Sequence, residues 1–335
     1  ALNCLVLTLQ AQSTLPENLR LSGALQLRWS DREGRADRDG FEMRTARLAA
    51  DFRPRPELSA RITVEFAGGE RGQNAELRDA FATWQANPRL KVHFGQKMLE
   101  LFYDERERRS ALDALERAEV ANTYFAGSRS RGVSVDYTLV QGYTLQAGVF
   151  NSLTISDPQL TGRGAQAAVM GTLNLRGERP NYQFNLGGMV GQRPSFQTRD
   201  AQNNPVQVSD TTRWLWYLEN EFRNYPLRNA TFRWTLLYGR DRNPAGGVSN
   251  PQFLQPSDYK ASIVYGIYNL RPDQQLVLRW EDFDPNTNRR GDAIRTLGLF
   301  YHFYPVQGVR LTAGYEWVDA SNGRNRAYLA AQYQF

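Results

Sequence analysis

The chain has 335 residues, 41% of them hydrophobic, with a mean hydropathy of −0.59 and a formal net charge of +6. No run approaches the roughly 18 consecutive apolar residues of a membrane-spanning helix, and one Cys with two His excludes an intramolecular disulfide and argues against a Cys/His metal cluster. The modest positive charge suits anionic solutes or lipid headgroups, and nothing in the composition calls for a cofactor or a nucleic-acid partner.

Residues 2–9 (LNCLVLTL) form a short apolar run, and Ala11-Gln12-Ser13 has the small-x-small form of a cleavage site, without a basic segment ahead of it. Residues 1–18 therefore read as a signal-peptide remnant or a short periplasmic segment. Cys4 lacks the preceding small residue that a lipidation site needs.

From residue 19 the chain alternates with the period of a strand, whose side chains point to opposite faces in turn. Leu19, Leu21, Gly23, Leu25, Leu27 and Trp29 share one face, with Arg20, Ser22, Gln26, Arg28 and Ser30 on the other. The pattern recurs in Leu58/Ala60/Ile62/Val64/Phe66, Leu90/Val92/Phe94, Val133/Val135/Tyr137 and Tyr143/Leu145/Ala147/Val149. It continues in Ala165/Ala167/Val169/Leu173, Tyr182/Phe184/Leu186/Val190, Trp214/Trp216/Leu218/Phe222 and Phe232/Trp234/Leu236/Tyr238. Next come Tyr259/Ala261/Ile263/Tyr265/Ile267, Leu276/Leu278/Trp280, Leu297/Leu299/Tyr301/Phe303 and Val309/Leu311/Ala313/Tyr315/Trp317. The last eleven residues, NRAYLAAQYQF, put Ala327, Leu329, Ala331, Tyr333 and Phe335 on the apolar face. Segments 41–52 and 77–85 break phase internally, so their faces stay unassigned.

Connections alternate as well. Those at 53–57, 86–89, 141–142, 176–180, 269–272 and 304–308 are short and turn-like. Those at 31–40, 68–75, 98–130, 151–162, 192–210, 240–258 and 284–292 are longer and polar. About sixteen strands with alternating short turns and long loops predict an all-β fold, a transmembrane antiparallel up-and-down β-barrel over 19–335. A soluble sandwich has no reason to alternate loop length around the whole chain.

In hydrocarbon every backbone polar group must be paired, which a closed barrel achieves. The apolar face then meets outer-membrane lipid, the polar face lines a wet lumen, and about sixteen strands leave room for a channel. Trp29, Trp317 and Tyr333 suit interfacial girdles; ordinary strand packing explains those three as well. Facing inward are Arg20, Arg28, Arg61, Lys91, Arg213, Arg233, Lys260, Arg279, Arg310 and Arg326, against Glu65, Asp136, Glu219, Glu221, Glu281 and Glu316. Ten bases against six acids predict a pore that favours small anions over cations; partial Arg–Glu pairing with weak selectivity is the plainer alternative.

The 98–130 connection is the longest, and its stretch ELFYDERERRSALDALERAE is dense in both charges. Folded inward, it would present Arg106, Arg108, Arg109 and Arg117 to the channel, opposed by Glu100, Asp104, Glu105 and Glu107. The alternative is a short surface helix over SALDALERAE with Ser110 as its cap.

FEMRTARLAADF at 41–52, RITVEFAGG at 61–69, ELRDAFATW at 76–84, HFGQKMLELF at 93–102, RGVSVDY at 131–137 and GVFNS at 148–152 resemble the phosphate-selective porin O/P family in type and spacing. An aromatic last residue is also shared by bacterial outer-membrane barrels. The resemblance implies sixteen strands, a homotrimer in the cell outer membrane, and passive transport of phosphate-like anions past inward arginines and a folded-in third loop. It places Arg44 and Arg47 at the arginine positions of the family's second-strand motif. An outer-membrane diffusion channel, not an enzyme, is the reading that results. His93 and His302 lie far apart with no nucleophile motif nearby, so a barrel hydrolase is a weaker reading. A structural barrel that binds a partner through its loops is the other alternative.

Overall fold

The computed structural model describes residues 16–32, 40–67, 75–125, 127, 129–152, 168–199, 205–225, 227–242, 256–320 and 323–335. The side chains of Arg32, Arg109 and residues 196–199 and 205–208 fall outside that description, as do residues 1–15 of the expected leader or periplasmic segment. The strands are β1 (Leu19–Arg32), β2 (Gly40–Arg55), β3 (Leu58–Glu65), β4 (Glu76–Asn87), β5 (Leu90–Met98), β6 (Arg129–Val140), β7 (Tyr143–Asn151), β8 (Val169–Arg179) and β9 (Tyr182–Arg193). After a hairpin of β10 (Phe196–Arg199) and β11 (Pro205–Val208) come β12 (Thr211–Arg223), β13 (Ala230–Arg242), β14 (Pro256–Arg271), β15 (Gln274–Asp284), β16 (Ile294–Phe303), β17 (Val309–Asp319) and β18 (Arg326–Gln334).

All but the hairpin join one closed barrel of sixteen antiparallel strands, each beside its chain neighbour, with β18 sealing against β1. The seam runs to the last residue, because Gly23 and Phe335 exchange two backbone hydrogen bonds of 3.0 and 3.2 Å. Leu25, Ile62, Phe94, Val149, Leu173, Trp216, Leu278 and Leu329 stand exposed around the outside. So continuous an apolar belt is stable against lipid and not against water.

The two segments without a readable phase each carry a bulge. Gln26 pairs with Thr45 but Leu27 with Met43, so Arg44 is an extra residue in β2. Thr63 pairs with Asp79 but Val64 with Leu77, so Arg78 is extra in β4. One inserted residue shifts the alternation by one place and exchanges the faces beyond it.

One strand reverses the expected faces. Tyr259, Ala261, Ile263, Tyr265 and Ile267 of β14 point inward and are buried, while Lys260 points outward. Apolar residues face inward here because something apolar fills the lumen beside them. That filler is the connection between β5 and β6, which folds into the barrel. Leu99, Leu101, Phe102, Leu112, Leu115, Val120 and Phe125 are all nearly inaccessible and form one core with inward Tyr217, Tyr259, Tyr265, Phe283, Phe300 and Tyr328. Tyr124 stacks on Tyr259 at 4.1 Å between ring centroids, and Tyr103 meets Tyr265 edge-on at 5.7 Å.

The seam gives a direct test of closure. A Cβ on Gly23 would lie 2.7 Å from Cε1 of the Phe335 ring. Gly23→Val should therefore displace the ring and lower the thermal midpoint of the detergent-solubilised barrel, an overpacking cost of about 1–3 kcal/mol. Phe335→Ala in the same chain should recover part of that loss; additive effects would show that the ring does not seat on Gly23.

Candidate functional site

The inward connection carries two short helices, α1 (Tyr103–Arg106) and α2 (Glu119–Tyr124), and a 3-10 turn at Arg109–Ala111. The loop folds inward, and the alternative surface helix over SALDALERAE does not form: residues 112–118 are irregular. Irregular backbone can be buried only if its polar groups find partners, and the barrel wall supplies them. The Ser110 carbonyl accepts from Gln332 and Gln334 at 2.9 and 2.8 Å, and the Leu112 carbonyl accepts from Arg310 at 2.9 Å. His302 Nε2 donates to the Asp113 carbonyl at 2.6 Å, as does Arg279 to that of Glu116 at 2.6 Å. Wall carboxylates take the N–H groups. Glu219 accepts from Tyr103 at 2.6 Å, and Glu281 accepts from Glu119 and Val120 at 2.8 and 3.1 Å.

Much of the arginine expected to face the channel water is spent on this anchoring. Arg28 is buried between Glu42 and Glu116, and Arg44, on its bulge, reaches Glu116 at 3.0 Å. Arg279 is fully buried against Glu316, and Arg326 bonds Glu119 at 2.7 Å. Arg310 holds Leu112 as described. These five lie beneath or beside the loop because water left that side of the lumen when the apolar core formed. Arg213 is buried against Asp241 at 2.9 Å near the long-loop end, and Arg47 pairs with Glu65 at 2.8 Å. Arg20 and Lys91 are exposed at the turn end of their strands, opposite Asp51 and Asp136 in register.

A cavity of about 440 Å³ lies between the loop and the walls from β3 to β13. Its cations are Arg61, Lys97, Arg106, Arg108, Arg129, Arg176, Arg223 and Arg233, and its acids are Asp79, Glu100, Glu107 and Glu221. Of the expected residues, Arg61, Arg106, Arg108 and Arg233 meet there; the Arg109 side chain lies outside the described residues. Lys97, Arg129, Arg176 and Arg223 escaped the alternation because all four stand at strand ends, next to or inside the stretches that read as connections.

Seven of the eight cations lie within 4.0 Å of a carboxylate, although Arg176 shares Glu100 with Lys97 and its Nη2 makes no hydrogen bond there. Arg61 meets Asp51 at 3.1 Å, Lys97 meets Glu100 at 2.7 Å, and Arg129 meets Asp79 at 3.0 Å. Arg106 reaches Glu219 at 2.5 Å, Arg176 reaches Glu100 at 3.7 Å, and Arg223 reaches Glu221 at 2.6 Å. Arg233 bonds Asp113 at 2.9 Å and lies 3.5 Å over the Tyr103 ring. Arg108 has no carboxylate within 4.0 Å among the described residues, and its side chain is exposed to the cavity. Partial desolvation in the lumen, and next the like charge of Arg61, pull its guanidinium below the usual range. Arg106 goes the other way: burial opposes its charge, yet Glu219 holds its guanidinium above the usual range. Burial also pushes the Glu105 carboxyl up to about 8, although Arg117 and the Gly127 N–H favour its charged form. Arg117 is itself buried, donating to the Glu107 carbonyl at 2.5 Å.

His93 bonds Thr83 at 2.8 Å and Asp136 at 3.1 Å across β4, β5 and β6. His302 is held by Thr312 at 2.8 Å and the Asp113 carbonyl. The two histidines thus serve separate hydrogen-bond networks.

The loop-8 deletion form of OmpT, an outer-membrane protein of Vibrio cholerae, shares this architecture, with a TM-score of 0.70, 14% identity, and 95% of this chain and 99% of that one covered. A trimer form of OmpT aligns with a TM-score of 0.65 at 14% identity over 95% of this chain and 99% of that one. An anion-selective porin from Comamonas acidovorans gives 0.67 at 11% identity, over 95% and 99%. At these identities the likeness speaks to the fold. No curated protein sequence matches the chain. Residues 23–203, more than half of the chain, match the family described as phosphate-selective porin O and P. Its strand order, inward third loop and matched sequence agree, and the chain belongs to the phosphate-selective porin O and P family.

Proposed function

We propose that this protein is a passive channel of the bacterial outer membrane, admitting small hydrophilic solutes and favouring anions, phosphate-like ones among them. The observation that carries the reading is Arg108. A guanidinium beside a carboxylate has a dipolar field that fades within a few ångströms, whereas an unpaired one keeps its full charge. At about 4 Å and an effective dielectric of 20, one unpaired charge attracts a monovalent anion by about 4 kcal/mol. The cavity is small on the scale of the roughly 8 Å screening length at physiological salt, so every permeating ion feels that charge. The likeness to the anion-selective porin of Comamonas acidovorans supports the same reading.

The geometry gives little support to an enzyme. The Thr83–His93–Asp136 row is a cross-strand network whose neighbouring backbone N–H groups are spent in the β4–β5–β6 ladder. A hydrolase would need free donors there for a developing oxyanion.

Reconstitution into planar bilayers should give stepwise conductance, with the reversal potential under a salt gradient displaced toward the anion. Absence of conductance would sink the channel reading; cation selectivity would sink the anion preference alone. Arg108→Ala should move the reversal potential toward zero by more than Arg106→Ala does, and should weaken block of chloride current by added phosphate. Phe102→Ala, which hollows the core beneath the loop, should raise unitary conductance instead. Equal effects from the two arginine variants would show that pairing does not set selectivity.

The assembly reading is a homotrimer. On the outer wall between β16 and β2, Ala313 and Ala331 floor a groove of about 420 Å³ rimmed by Trp29, Phe41, Tyr301 and Phe303. Phe41, at 76%, is the most exposed large apolar side chain among the described residues. Ala313→Trp should fill the groove and convert trimers to monomers on native gels while each barrel keeps its folded mobility. A wild-type protein that runs as a monomer in mild detergent would refute this reading.

A further inference from the structure

The outer wall is not uniform around the barrel at its long-loop end. On β13 to β17 it carries a ladder of charge. Arg240 stands opposite Asp258, Lys260 opposite Asp284, and Arg295 between Asp282 and Asp319. The N···O separations are 3.2, 3.7, 3.7 and 3.9 Å in that order. On the same outward faces, nearer the middle of the strands, sit Tyr238, Trp280 and Trp317. Other sectors differ. Phe41, Phe66 and Leu77 occupy comparable outward positions near β2 to β4, Asn151, Gln192 and Thr212 on β7 to β12 are neutral, and the outward arginine of β6, Arg131, donates to Gln96 at 3.0 Å.

Outward Lys and Arg are costly at the bilayer midplane and cost nearly nothing at its edge. With aromatic residues below them, Lys260 and Arg295 therefore sit at headgroup depth. Exposed ion pairs of this length contribute little. Neither side chain makes a hydrogen bond among the described residues, and they remain 63% and 60% exposed. Their donors, three on Lys and five on Arg, are unspent. A phosphate oxygen at charge-assisted hydrogen-bond distance would satisfy them better than carboxylates nearly 4 Å away.

We propose that this sector binds phosphate groups of lipid headgroups in the leaflet at the long-loop end, with Lys260 and Arg295 as the ligands. It needs only the membrane-spanning barrel, so its failure would leave the channel reading standing. The flanking aspartates repel a bare phosphate unless a divalent ion intervenes, and the experiment separates the two routes. Barrels in phosphatidylcholine bicelles are titrated with diphosphorylated lipid A, and the thermal midpoint is followed, since a ligand bound only by the folded state raises it. Wild type should shift upward; dephosphorylated lipid A should produce no shift. Lys260→Gln/Arg295→Gln should lose most of the rise, whereas Arg131→Gln, an exposed arginine on β6, should keep it. An undiminished rise in the double variant overturns the proposal, as does an equal loss in Arg131→Gln. So does a rise abolished by EDTA yet indifferent to the double substitution, which would assign the phosphates to metal on the carboxylates. Should the double variant fail to refold, Lys260→Gln alone serves, with a partial loss expected and no loss overturning.

Discussion

Inside a bilayer a peptide group has no water to bond, and inside a barrel a loop has little more. The first constraint closes sixteen strands into a ring. The second decides what the ring contains. An irregular segment from Leu99 to Gly127 can occupy the lumen only where the wall presents donors to its carbonyls and acceptors to its N–H groups. Gln332, Gln334, Arg310, His302 and Arg279 are the donors, and Glu219 and Glu281 the acceptors. Between these polar fixings the loop and the wall share an apolar core, which is why β14 turns its tyrosines and isoleucines inward. Apolar packing and polar anchoring of the loop run from β7 round to β18, and the open cavity lies against the walls from β3 to β13.

That division governs the electrostatics. A tally of inward arginines treats the wall as uniformly wet, and the lumen is not. Arg28, Arg44, Arg279, Arg310 and Arg326 neutralise or hydrogen-bond the loop, so little of their charge is presented to a passing ion. Around the open cavity, a carboxylate lies within 4.0 Å of every cation but one among the described residues. On the channel reading proposed above, selectivity would turn on where a charge lacks a partner more than on net charge, and among the described residues Arg108 is that place.

The fold was largely readable from alternation and loop length, since both follow from solvation that acts on every strand alike. The tail from Arg326 to Phe335 was assigned to the correct faces residue by residue, and so was β1. The misreadings have local causes. Arg44 and Arg78 are single insertions, invisible to a period-2 pattern except as a loss of phase. β14 carries its apolar face toward a loop more than a hundred residues away in sequence, and hydropathy cannot say whether an apolar face meets lipid or protein. The site was less readable. Inward direction could be inferred for Arg61 and Arg233, but partners such as Asp51 and Asp113 depend on register and on the loop's path. Lys97, Arg129, Arg176 and Arg223 were missed because strand ends carry little alternation on either side.

The outer surface obeys the same logic as the lumen. Hydrocarbon tolerates Leu and Val on any strand, so the exceptions carry the information. The alanine-floored groove by β18 is apolar yet concave, which disordered acyl chains fill less well than a complementary protein surface does. Arg240, Lys260 and Arg295 are charged yet outward, which headgroups or water accommodate and hydrocarbon does not. Strands β16 and β17 take part in both features, with the groove toward their turn end and the charges toward their loop end. A neighbouring barrel seated in the groove would thus leave the charged end of the same strands facing lipid, and the two contacts do not compete for surface.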